Sequence, residues 1–318
     1  MALLNKFKNG YIDKNDKGFS NCLRIFFSKI KELILLNLLF IVSMIPYIIA
    51  AAFITYVVLP DTHILPGINI PFPIQIMLIF APFAFCGPFV AALTKITRDI
   101  GREEHVFLVK DFFGAANKFK KQGTLFSFFG YLFYVAAFFA LLIYSGAWFL
   151  FGAALICTIY ITLMFKYIFL MIVSLKLNPS KLIKNGFLLV LANIKKSAVG
   201  LIVLIFDIIL LGLQIFAAAQ NSIFIVFLVI SLAIVYFSFS SYFENYFYFQ
   251  GIIDKVVDPY YANMEKGESS DIKSDIDSYK DNNKYKNEEN ITEKTEYIYK
   301  DGKLVRKDLL DKESIFED

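Results

Sequence analysis

Leu33-Ile-Leu-Leu-Asn-Leu-Leu-Phe-Ile-Val-Ser-Met-Ile-Pro-Tyr-Ile-Ile-Ala-Ala-Ala-Phe-Ile-Thr-Tyr-Val-Val-Leu59 contains no charged side chain. About 20 apolar residues suffice to carry a helix across a bilayer, and the apolar core of a cleaved signal peptide is only about 7 to 15 residues long. The stretch therefore reads as an uncleaved membrane span. The rest of the chain agrees with it. Of 318 residues, 57% are hydrophobic, 19% are charged and 36 are Phe, which is more apolar surface than one water-soluble core can bury. Further apolar runs lie at about 72–94, 124–146, 147–173, 197–219 and 222–247. With 33–59 they predict an all-α membrane protein of six spans in residues 33–253.

The charges set the expected orientation. Seven basic residues lie in 1–32, seven in the connection 95–123 and five in 174–196, against none in 60–71 or in the turns near 146 and 220. Cytoplasmic segments are enriched in Lys and Arg, so both termini are expected inside a multi-pass protein of the cytoplasmic membrane. The tail 254–318 holds twelve basic and eighteen acidic residues, a composition that predicts disorder. Within it, Tyr297 to Arg306 alternates like two strands about an Asp301-Gly302 turn.

Each pair of spans follows a short amphipathic segment. In the first, Leu23, Phe26, Phe27 and Ile30 oppose Arg24, Ser28, Lys29 and Lys31. In the middle one Leu108, Val109, Phe112, Phe113, Ala115, Ala116 and Phe119 oppose Lys110, Asp111, Asn117, Lys118 and Lys121, with Lys120 a misfit. In the third Ile183, Phe187, Val190 and Ile194 oppose Lys181, Lys184 and Asn185. These predict helices lying in the cytoplasmic interface, giving three units of one interfacial helix and one helical hairpin.

Ionisable residues inside spans are functional candidates because each is costly in hydrocarbon. Asp207 falls near the middle of the fifth span, and Lys166 lies one to two turns from the cytoplasmic end of the fourth. The expected arrangement has Asp207 meeting Lys166 or another polar neighbour inside the bundle. Glu244, among Tyr242, Tyr246 and Tyr248, reads as solvated in an interfacial aromatic belt. Pro46 in the first span and Pro73, Pro82 and Pro88 in the second predict kinks or breaks. Cys22, Cys86 and Cys157 are dispersed and His63 and His105 stand alone, so neither a metal site nor a cofactor is expected. The sequence has no nucleophile elbow, zinc-protease motif or phosphate-binding glycine loop. It reads as a non-enzyme, with no nucleic-acid partner.

The stretch after the second span carries a resemblance. Gly87-Pro88, the small pair Ala91-Ala92, Arg98, then Arg102-Glu103-Glu104-His105 with Phe107, Asp111-Phe112 and Lys121-Gln122 resemble the YesL-like family over about residues 17–255. Gly101 stands where that pattern has Ala, and the acidic tail lies outside it. The resemblance implies a bacterial inner-membrane protein of a domain of unknown function, often encoded near carbohydrate importers, and brings no catalytic residues. The first expectation is an accessory or scaffold subunit, associated with ABC-type carbohydrate uptake, with Arg98 to Gln122 as the partner-contact segment. The alternative is a small-solute transporter using its kinked spans and Asp207; a membrane enzyme using Glu103, Glu104 and His105 comes last. The lipid bilayer is the one partner common to all three.

Overall fold

A computed structural model describes residues 18–58, 71–175, 177–220, 231, 236–257, 297–300 and 303–306. Helix α1 is Phe19–Ser28, α2 Ile30–Val58, α3 Phe72–Phe80, α4 Gly87–Gly101, α5 Leu108–Lys118, α6 Lys120–Ile143, α7 Trp148–Ser174, α8 Pro179–Ala192, α9 Ile194–Gln220 and α10 Phe237–Ile252. Four of these regions, α2, α6 with its terminal turn, α7 and α9, are long and apolar enough to cross a membrane. The expected second span is broken. The helices α3 and α4 are separated by the 3-10 turn Ala81–Phe85 and bend by 49°, which makes a fifth candidate if the pair counts as one. Proline is the cause: Pro73, Pro82 and Pro88 each sit at the start of their segment, where the missing N–H costs nothing and the fixed φ favours a new helix. Pro46, by contrast, lies inside a continuous α2. The start of the sixth expected span lies outside the described residues; its last part is α10.

Helix α4 is the hub, packing against α5, α6, α7 and α10. Its crossing with α6 has almost no room. A Cβ on Gly123 would come 2.9 Å from the Gly87 carbonyl oxygen and 3.0 Å from its carbon, so the two backbones touch. Small residues allow this in membranes, where close packing takes over from the hydrophobic effect as the force between helices.

Polar side chains also close helix ends belonging to other helices. Asn37 of α2, fully buried, accepts the Phe237 and Ser238 N–H groups at 2.9 Å each and so caps the start of α10. Arg98 of α4 donates to the Val173 carbonyl at 2.8 Å and to Ser174 Oγ at 3.0 Å, at the C-terminus of α7. That helix has no basic residue in its own last turn, so Arg98 supplies the cation that the helix dipole favours.

The three amphipathic helices form where expected, with α1 and α8 rotated from their expected faces and α5 buried along part of its expected face. In α1 the buried residues are Asn21, Cys22, Ile25 and Phe26, with Phe27 exposed; in α8 they are Leu182, Gly186, Leu189 and Val190, with Ile183 and Phe187 outside. In α5 Phe112, Ala115 and Ala116 pack inward while Val109 and Phe113 face out. Small and slender residues let these helices approach the bundle, and a second apolar strip stays on the outside.

The tail is not uniformly without structure. Tyr297–Lys300 and Lys303–Arg306 form an antiparallel hairpin pairing Tyr297 with Arg306 and Lys300 with Lys303, as the alternation about Asp301-Gly302 predicts. This hairpin belongs to a separate compact unit, 270–318. The rest of 258–318 lies outside the described residues.

Candidate functional site

Inside the helical unit, α6, α7 and the broken α3–α4 segment wall a cavity of about 560 Å³. Its wall is largely aromatic and aliphatic, including Phe80, Phe126, Val135, Phe138 and Phe165. Clefts of about 300 to 1,000 Å³ with apolar walls and a few placed polar groups are the usual form of a small-molecule site. The sequence places the polar groups here by helical spacing. Ser127, Tyr131 and Tyr134 recur at i, i+4 and i+7 on α6, and Thr162 and Lys166 at i and i+4 on α7, so each set lines one face. Tyr134 Oη donates to Thr162 Oγ1 at 3.3 Å, joining the two helices.

Lys166 is the charged group of the wall, and its ammonium is held by both carboxylate oxygens of Glu244 from α10. Glu244 is only 4% exposed. The expectation of a solvated Glu244 in an aromatic belt is therefore overturned: α10 is packed against α4 and α9, and the tyrosines around Glu244 are buried with it. Asp207 of α9 does not take Lys166 as its hydrogen-bond partner. It accepts from Ser240 Oγ at 2.6 Å, one turn before Glu244 on α10, and interacts with Lys166 and Glu244 through their charges. Two carboxylates and one ammonium thus form a cluster beside the cavity. Ser240 and Glu244, at i and i+4 in an otherwise aromatic run, are the sequence signal that would have located it.

A second polar layer lies towards the other end of α4. Arg98, 8% exposed, also donates from Nε to Asp99 at 2.9 Å, and Lys95 reaches Asp99 at 3.2 Å. Beside it Asn245 donates to Thr97 Oγ1 at 2.8 Å and to Ser241 at 2.9 Å. Asp99, Thr97 and Asn245 were not singled out in the sequence, although Ser238, Ser241 and Asn245 recur at i, i+3 and i+7 on α10.

The residues from Arg98 to Gln122 divide between inside and outside. Arg98 and Phe112 are buried, Phe112 stacking on Phe89 with centroids 6.1 Å apart, so neither presents a surface to a partner. Gln122 donates to the Leu177 carbonyl at 3.1 Å and ties α6 to the connection before α8. Asp111 accepts the Phe107 N–H at 2.9 Å and starts α5. Arg102 pairs with Glu104 at 3.0 Å, and its guanidinium lies over the Phe249 ring. Glu103 reaches Arg24 of α1 at 3.6 Å. Its backbone is left-handed, φ 55°, and closes α4 with bonds from Glu103 N–H to Ile100 and from Glu104 N–H to Asp99. Glycine usually holds that position. Glu103, His105, Phe107 and Lys121 remain exposed, His105 resting against Phe107.

Cys22, outside the spans, is buried in α1, and burial pushes its thiol up to about 12, which makes it a packing group rather than a reactive one. Among the described residues no cluster of three His, Cys, Asp or Glu side chains is arranged to hold a metal ion. Compared with known proteins, the chain matches no family model, no curated protein and no solved structure.

Proposed function

We propose that the chain is a six-span protein of the cytoplasmic membrane, built as three helical hairpins with both termini inside, and that it binds an apolar small molecule in the cavity between the broken span and the α6–α7 hairpin. The orientation rests on the basic connections. The binding role rests on one observation, the 560 Å³ apolar cavity with Lys166 in its wall. Broken spans beside such sites are a recurrent device of membrane carriers, and this reading takes up the small-solute transporter. A free sugar fits poorly, because the hydroxyl groups of Ser127, Tyr131 and Thr162 already donate to the carbonyls of Phe83, Met77 and Thr158. A carbohydrate would find few polar partners there.

The cavity is tested by tryptophan quenching. In a Phe138→Trp variant that also carries Trp148→Phe, a dibrominated eighteen-carbon acid or alcohol should quench the cavity tryptophan saturably, and Gly130→Leu should weaken this. Quenching that rises linearly, as for a lipid-exposed tryptophan, overturns the reading. Labelling tests the topology: Leu65→Cys and Ser270→Cys should react from opposite sides of the membrane.

The exposed part of the loop favours a second reading. Glu103, His105 and Phe107, with the outward Val109 and Phe113 of α5, offer charge and apolar surface together, which suits an accessory subunit docking another membrane protein. An ABC-type carbohydrate importer is the partner that the YesL-like resemblance implies. Glu103→Lys with Glu104→Lys should then reduce partner recovery in mild detergent while leaving insertion intact.

A further inference from the structure

We propose that the cavity ligand is an apolar molecule bearing a single acidic head group, that this head group binds the Lys166 ammonium, and that about one proton is taken up with each anion bound. The proposal rests on the reading of the cavity as a binding site and goes on to name the ligand class and its coupling.

The head group follows from the donors that remain. Ser127, Tyr131 and Thr162 donate to main-chain carbonyls and Tyr134 to Thr162. Lys166 carries three N–H bonds, and Glu244 is its hydrogen-bond partner among the described residues, taking two of them with its two oxygens. The side chain is 29% exposed while Glu244 is almost wholly enclosed. An entering molecule therefore meets the ammonium and not the carboxylate. A cationic amphiphile would be repelled by it, a neutral one would gain one hydrogen bond, and an anion would gain a charge-assisted bond in a low-dielectric wall. The aromatic remainder of the cavity suits an alkyl or aryl body.

The proton follows from the charges. Asp207 and Glu244 set two carboxyl groups beside one ammonium, and a bound anion adds a third acidic group. Such an excess in apolar surroundings is relieved by protonating a carboxyl group. Among the described residues the other titratable groups facing the cluster are phenols, Tyr134 from α6, Tyr236 at the start of α10 and Tyr248 within it, which have no negative charge to give up near neutral pH. The proton is thus held by Glu244, Asp207 or the ligand itself, and it enters and leaves with the anion.

The test uses the purified full chain in detergent with the cavity tryptophan described above. Dibrominated stearic acid is compared with dibrominated stearyl alcohol at a pH where the free acid is ionised, and proton uptake is read in weakly buffered solution. The acid should bind at least about tenfold more tightly than the alcohol, with about one proton absorbed per acid bound. Lys166→Met should remove the preference. Because that variant strands Glu244, the double variant Lys166→Met with Glu244→Gln is measured beside it, and it should bind both probes equally with no proton uptake. Equal binding of acid and alcohol by the unaltered cluster overturns the proposal, as does an acid preference that survives the double variant, or acid binding without protons. Saturable binding of both probes with no preference sinks this inference alone. Saturable quenching by neither sinks the binding site itself.

Discussion

Helices α7 and α9 have the same length, 27 residues, and each carries one ionisable residue within its apolar stretch, Lys166 and Asp207. Of the most apolar window of each, 44% is buried in α7 and 6% in α9. Position in the bundle makes the difference. The α7 helix is packed by α4, α6 and α8 and capped by Arg98, whereas among the described residues α9 touches mainly α10. The charges are handled accordingly. Lys166, in the centre, has an ion pair with a buried carboxylate; Asp207, at the side, has one hydroxyl donor. Apolarity puts a helix in the membrane, but its neighbours decide whether it belongs to the core.

The largest effect should come from breaking the ion pair. Glu244→Leu leaves the Lys166 ammonium without its hydrogen-bonded carboxylate, and losing one partner of a buried pair costs about 3 to 5 kcal/mol. Because Lys166 is partly exposed to the cavity, about 3 kcal/mol is expected in an unfolding titration. Adding Lys166→Met should restore most of it. A Glu244→Leu variant as stable as the unaltered protein would mean that the pair holds nothing together.

Packing gives the next contrast. Ile168 on α7 is fully buried and contacts the space left by Gly186 of α8. Ile168→Ala should cost about 2 to 4 kcal/mol through the cavity it creates. A loss below about 1 kcal/mol would show that α8 collapses onto α7 and that the α7 core is loose.

The sequence made the helices legible because apolar runs and proline positions are local signals. Pro82 and Pro88 mark the break that the structure contains. The faces of α1 and α8 were not legible. Each has apolar residues on more than half its circumference, so periodicity cannot tell the side that meets lipid from the side that meets protein, whereas the buried Phe112, Ala115 and Ala116 of α5 lie on the face its periodicity marks. Asp207 was visible as a charge in an apolar run, but its donor Ser240 lies on a different helix, and Glu244 was hidden by tyrosines that mimic an interfacial belt. Asn37 capping α10 across about 200 positions of sequence is a contact that no local pattern encodes.

The hydroxyl bond on α9 should matter less than the ion pair on α7. Ser240→Ala removes a single donor to Asp207, at about 1 to 2 kcal/mol for a bond to a carboxylate. Asp207→Asn keeps an acceptor for Ser240 and should cost less than Asp207→Leu, which leaves the hydroxyl without its partner. Unfolding titrations of the three variants give the order. If Asp207→Asn were as damaging as Glu244→Leu, the two charges would be acting as one unit, and the contrast between centre and side would fail.

The smallest effect is expected next door to Asp207. Ile208 is 61% exposed on the outer side of α9. In a membrane-spanning α9 a side chain exposed in this way meets lipid, and lipid chains are as apolar as the residue itself, so no hydrophobic term is lost when the methyl groups are removed. No protein cavity opens either, because lipid fills the space. What remains is helix propensity, in which alanine exceeds β-branched isoleucine by a few tenths of a kcal/mol. Ile208→Ala should therefore change stability by no more than about 0.5 kcal/mol, on the stabilising side, against the loss of about 2 to 4 kcal/mol for the same substitution at Ile168. The same unfolding titration measures both. A loss of about 2 kcal/mol or more at Ile208 would show that the outer side of α9 is covered by protein after all, and the difference between the two helices would then lie in what surrounds the bundle and not in the bundle itself.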